Sequence, residues 1–203
     1  GQEYDAKIVT IPNGADVEFF TPQPPSPGIR EHLGADPGQV LVLYVGAHGL
    51  SQGLSAVLDA ASRLRDEKVH FAFVGEGAEK QRIQSLVEER GLGNVTMLPS
   101  IARDEMPELL ASADICLVPL RDVPLFKTFI PSKMFEYLAM GKAVIGSVSG
   151  EAARILQEAG AVVVDPEDAD QLAQAVRELA CDPEKRVRMG HQGRGFVKSN
   201  YDR

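Results

Sequence analysis

Ser132, Lys133 and Glu136 stand together directly after Pro131 and ahead of the apolar run 142–147. At about 100° per residue, a helix here sets Ser132, Glu136, Lys133 and Tyr137 along one arc and turns Met134, Phe135, Leu138 and Ala139 to the other side. Pro131 presets the first turn, and Gly141 supplies the stop. The polar arc has the chemistry of a nucleotide site. Bare first-turn amides and the Lys133 charge attract a diphosphate, while Glu136, one turn deeper, accepts two hydrogen bonds from a ribose diol. A solvated helix face with an ordinary Lys–Glu pair would give the same pattern. The long irregular stretch "LRDVPLFKTFI" (120–130) before the helix favours the site, because long loops at the strand ends of α/β sheets tend to serve ligands.

Two other turns carry candidate chemistry. In "YVGAHGLSQGL", Gly46, Gly49 and Gly53 follow an apolar run and precede a helix-period stretch, so backbone amides there can approach a phosphate. The spacing is not that of a dinucleotide fingerprint, and a plain glycine turn explains it equally well. His48 lies within that turn, placed to reach a phosphate or a sugar hydroxyl, although a lone loop histidine is more often incidental. Gly75 and Gly77 bracket Glu76 in "FVGEGAEK", where the helix dipole already accounts for a carboxylate. No grouping of Asp, His or Cys has the spacing of a metal site, so donors already in place must carry any leaving-group charge.

The elements that position these residues follow from periodicity. Six apolar runs, 40–45, 69–74, 94–98, 114–120, 142–147 and 161–165, are continuous rather than alternating, as in strands covered on both faces. Between them, Leu54, Val57, Leu58, Ala61 and Leu64, and again Leu172, Ala175, Val176 and Leu179, recur at helical spacing. Strand and helix in repeated alternation predict an α/β fold, a Rossmann-like, doubly wound, mostly parallel six-stranded sheet. "TPQPPSPG" (21–28) reads as a surface connection, its prolines excluded from helix and inner strand. The expected organisation is 1–28 as an opening strand ("AKIVTI", 6–11) with its proline-rich connection, then 29–203 as one Rossmann-like nucleotide-binding domain. The strand at 6–11 has no partner before it, which reads as a fragment of a longer chain.

With 203 residues, 44% of them hydrophobic, the chain can build a full core. Its 29 acidic residues against 21 Lys and Arg leave no basic stripe for nucleic acid. Cys116 and Cys181 read as reduced thiols in a cytoplasmic setting. No stretch reaches the roughly 18–20 apolar residues of a membrane span.

Together "IPNGADVEFF", "YVGAHGLSQGL", "FVGEGAEKQRI", "NVTMLPSIARDEMPELLASADICLVPL", "PSKMFEYLAMGKAVI" and "DPEKRVRMGHQGRGFV" resemble the C-terminal, donor-binding half of retaining GT-B glycosyltransferases, in the family's order and over nearly the whole chain. The likeness is nearest to the bacterial cell-surface polysaccharide branch that transfers N-acetylated sugars to lipid-linked acceptors. It implies a nucleotide diphosphate sugar as donor, UDP favoured, with no cofactor and no metal. It places the ribose at Glu136, the diphosphate at Ser132, Lys133, Gly46 and Gly49, and the base beside Leu98, Pro99 and Ile101. It implies an N-terminal acceptor domain that this chain lacks and that carries most catalytic groups, and, in the full-length protein, peripheral association with the inner face of the bacterial membrane.

Two departures bear on the sugar. Thr128 stands where the family often has a first glutamate eight positions before the helix glutamate, and Ala47 and Gln52 stand approximately where many members carry an Arg and a Lys in the first glycine turn. His48, Thr128, Phe129 and Ile130 are the residues left to meet the donor sugar, Phe129 and Ile130 through their amides. A sugar-nucleotide epimerase of the same architecture and a non-catalytic nucleotide-binding module are the alternatives.

Overall fold

A computed structural model describes residues 13–203, so the strand expected at 6–11 lies outside the described residues. All six predicted strands form: β1 Val40–Val45, β2 Val69–Val74, β3 Val95–Leu98, β4 Ile115–Pro119, β5 Ala143–Ser147 and β6 Val162–Val164. They make one sheet in the order β3-β2-β1-β4-β5-β6, every pairing parallel. The helices are α1 Pro27–His32, α2 Leu54–Arg63, α3 Lys80–Glu89, α4 Met106–Ser112, α5 Lys133–Ala139, α6 Glu151–Glu158, α7 Ala169–Cys181 and α8 Pro183–Asn200.

Alternation along each strand divides the core between the two faces. Leu41, Leu43 and Val45 of β1 pack with α4, α5 and α6 on one side, while Val42 and Tyr44 pack with α2 and α7 on the other. Both faces are covered, which is why the strands read as unbroken apolar runs.

Three expectations need correction. The proline-rich connection does not stay irregular to residue 28, because α1 begins at Pro27. Proline is tolerated at a first helical position, whose N–H has no intrahelical partner. The stretch before α5 is not wholly irregular, since Pro124–Thr128 form a 3-10 turn. Finally, Tyr137 does not share a solvated arc with Glu136. Its hydroxyl is buried, donating to the Val45 carbonyl at 3.0 Å and accepting from the Val45 N–H at 3.2 Å. The β1–β4 ladder pairs only Val42 and Leu43, so the Val45 peptide would otherwise lack a partner on that side.

Candidate functional site

The sheet order reverses between β1 and β4, and in open α/β sheets a crevice opens beyond the strand ends at such a point. The turn after β1 and the loop from β4 into α5 both end there. The β1 and β2 turns are laced together: His48 N–H donates to the Glu76 carbonyl at 2.8 Å, and Glu79 N–H to the His48 carbonyl at 2.9 Å. Glycine is required at both turns. Gly46 has φ 136°, and a Cβ there would stand 2.5 Å from the Lys133 Nζ; a Cβ on Gly75 would overlap the Gly46 carbonyl.

Lys133 is set beneath this turn rather than displayed at its mouth. Its ammonium donates to the Tyr44 hydroxyl at 3.0 Å and lies over the ring, and that hydroxyl donates to the Ala47 carbonyl at 2.5 Å. Burial lowers the Lys133 pKa to about 8, with Glu136 pulling the other way. Ser132 is exposed and caps α5 without a side-chain bond. The amide cradle is thinner than the helical pattern predicts. Met134 N–H is taken by the Pro131 carbonyl and Phe135 N–H by that of Ser132, leaving the amides of Ser132 and Lys133. Glu136 is half-buried, and its carboxylate has no hydrogen-bond partner among the described residues. Burial raises its pKa, opposed first by Arg103 and then by Lys133 and Arg203.

Gly46 and Ala47 form one wall of a 260 Å³ cavity whose other wall is Ser100, Ile101 and Met106, with Val45, Val74, Gly75 and Glu76 between. Leu98 ends β3 and Pro99 opens the same loop. The Leu98 carbonyl accepts from Gly75 N–H at 3.1 Å and Lys80 Nζ at 3.2 Å, and Pro99 is exposed. The Glu76 carboxylate is engaged by Lys80 at 2.6 Å.

The residues expected at the sugar are less gathered. His48 is wholly buried, packed between Tyr44 and Phe73, with both ring nitrogens unpartnered among the described residues. Its backbone bonds to the β2 turn direct the ring inward, so it does not face the crevice. Burial, and then Lys80, lowers its pKa to about 4, keeping it neutral. Thr128 Oγ1 turns back to the Leu125 carbonyl, and Phe129 N–H is taken by Phe126, which removes one of the two amides expected to serve the sugar. The Phe129 side chain is exposed, whereas Ile130 packs against the core. The Gln52 amide oxygen accepts from Gly49 N–H at 3.1 Å, so both are occupied within the turn. Among the described residues no group of three or more His, Cys, Asp and Glu could hold a metal ion, and no helix is long and apolar enough to cross a membrane.

Residues 26–196 match the family model described as Glycosyl transferases group 1. The chain belongs to that family.

Among curated relatives, the putative colanic acid biosynthesis glycosyl transferase WcaI of Escherichia coli K12 is 32% identical to this group 1 chain over 177 residues, 84% of it and 43% of WcaI. The C-terminal domain of the group 1 protein LpcC from Francisella tularensis has the same fold, at TM-score 0.74 and 17% identity over 93% of this chain and 99% of that one. Anabaena Alr3699/HepE, solved in complex with UDP-glucose, gives TM-score 0.78 at 20% identity over 93% of this chain and 52% of that one. The chain spans about half the length of the curated relatives it matches.

Two residues of this group 1 site are not announced by its motifs. Tyr44 sits in an apolar run and reads as core; Arg103 reads as an ordinary charge in a loop. Only the approach of Tyr44 to Lys133, across 89 positions, and the seating of Arg103 on Phe19 and Phe20 distinguish them.

Proposed function

We propose that this chain holds a nucleoside diphosphate sugar, with UDP favoured, and forms the donor-binding half of a retaining glycosyltransferase. The observation that carries this reading is convergence. Lys133 on α5 lies under the Gly46–Ala47 turn, that turn and the Ile101 loop wall one cavity at the topological switch point, and Glu136 stands one turn further along α5. Glu136 accepts from the ribose diol, Lys133 with the free amides of Ser132 and Lys133 offsets the diphosphate charge, and the base enters between the two loop walls. That HepE was solved with UDP-glucose supports a uridine donor. The matched relatives are about twice as long, which leaves room for an acceptor-binding half.

In the whole protein, the bond from C1 of a hexose or N-acetylhexosamine to the β-phosphate breaks. An acceptor oxygen on a glycan or lipid-linked sugar takes its place, and the configuration at C1 is retained. Electrostatic stabilisation of the departing diphosphate by Lys133 supplies the leaving-group assistance, with no divalent metal required. The likeness to WcaI, named for colanic acid biosynthesis, supports polysaccharide synthesis as the setting; a place on the cytoplasmic side of a bacterial membrane is part of the same proposal.

Titration calorimetry of the chain with UDP, GDP and ADP tests the reading. Saturable heat with at least one nucleotide at or below millimolar concentration is expected. Absence of heat and of any thermal shift with all three would overturn it.

A further inference from the structure

Arg103 begins the 3-10 turn Arg103–Glu105 that follows β3, with Ser100 and Ile101 shortly before it and Met106 shortly after, all three on the cavity wall. Its guanidinium carbon lies 5.4 Å from the centre of the Phe19 ring and 5.8 Å from that of Phe20, two rings that meet edge to face at 4.9 Å. The Phe20 carbonyl in turn shares the Arg194 side chain with the Ala139 carbonyl of α5. The aromatic pair therefore anchors Arg103 to the segment that packs on the helix of Glu136. Neither the guanidinium nor the Glu136 carboxylate has a hydrogen-bond or ion-pair partner among the described residues. Both sets of hydrogen-bonding groups are therefore free to meet a ligand.

We propose that Arg103 is a specificity-determining residue that reads an acceptor edge on the donor's base while Glu136 holds the ribose. This rests on the donor-site reading above and extends it to the choice of nucleotide. Val45, Val74, Ile101 and Met106 supply apolar surface for the faces of a flat ring, and Arg103 stands in the loop between Ile101 and Met106. A guanidinium has donors only. Uracil presents O4 and guanine O6 with N7, all acceptors, where cytosine and adenine present an exocyclic amine that would oppose the guanidinium N–H groups. The site therefore selects UDP or GDP over CDP and ADP. Phe19 and Phe20 hold the guanidinium plane, so the discrimination depends on the fork of Arg103 and not on its charge alone.

The test is a matrix of affinities for UDP, GDP, CDP and ADP with the wild-type chain, Arg103→Met and Arg103→Lys. Arg103 is exposed, so neither variant removes core packing. The wild type is expected to favour UDP or GDP over CDP and ADP by on the order of tenfold. Arg103→Met should abolish that preference by weakening only the favoured nucleotide, leaving CDP and ADP within about twofold; Arg103→Lys should keep the charge and still lose the preference. Equal weakening of all four nucleotides in Arg103→Met, no change in any, or no base preference in the wild type would each overturn the inference while leaving the donor site standing. No binding of any nucleotide to the wild type would overturn the donor-site reading and this inference together.

Discussion

The Lys133 ammonium lies 3.0 Å from the Tyr44 hydroxyl and 4.1 Å from the centre of its ring, under a turn where only glycine fits. A cation in this position is poorly solvated, which lowers its pKa to about 8, and the aromatic face and hydroxyl offset only part of the loss. A phosphate arriving above Gly46 would restore what burial removes.

Nucleoside diphosphate affinity should therefore depend on pH through Lys133. A bound diphosphate raises the pKa of the ammonium, so the complex holds a proton that the free chain gives up near pH 8. Affinity for UDP should be flat at lower pH and fall as pH rises through about 8, by up to tenfold per unit. Lys133→Met should bind more weakly at pH 7 and show no such limb. Calorimetry across pH 6 to about 9.5 reads both, with an unchanged alkaline limb in the variant counting against Lys133.

The same substitution should stabilise the fold. The native pKa of about 8 lies below the ordinary value of 10.5, so the unfolded chain binds more protons between these limits and stability rises with pH across that window. Below it the cost of the buried charge is fully present. Lys133→Met should gain about 1–3 kcal/mol at pH 7 in urea denaturation, a gain that shrinks toward pH 10 or so.

Glu136→Ala should weaken UDP binding by about 1–3 kcal/mol, through loss of charge-assisted hydrogen bonds to the ribose. A UDP analogue lacking the 2′- and 3′-hydroxyls should bind wild type and variant alike. If the analogue lost as much affinity as UDP, the carboxylate would be acting on something other than the diol.

Tyr137→Phe should destabilise the chain by about 1–3 kcal/mol, because the Val45 N–H and carbonyl would both lose their partner inside the core. Urea denaturation reads this directly. A variant within about 0.5 kcal/mol of wild type would mean that water reaches the end of β1.

The strands were legible because a parallel strand covered on both faces needs apolar residues at successive positions, as "VLVLYV" and "VHFAFV" have. The stripes of α2 and α7 were legible for the same kind of reason, since one helix face meets the sheet. On α5 the pattern misled, because that helix is packed nearly all round and Tyr137, which reads as part of a polar arc, points into the core. His48 reads as reachable and is sealed by backbone bonds between two turns.

By itself the sequence determined the layer architecture, the order of elements and the stretch in which Ser132, Lys133 and Glu136 fall, because those depend on local periodicity and on glycine and proline. Tertiary structure alone decided that Lys133 lies beneath Gly46, that Tyr44 holds it and that Arg103 rests on Phe19 and Phe20. Those contacts join segments far apart in the sequence, and the desolvation that sets the charge of Lys133 arises only when those segments pack against one another.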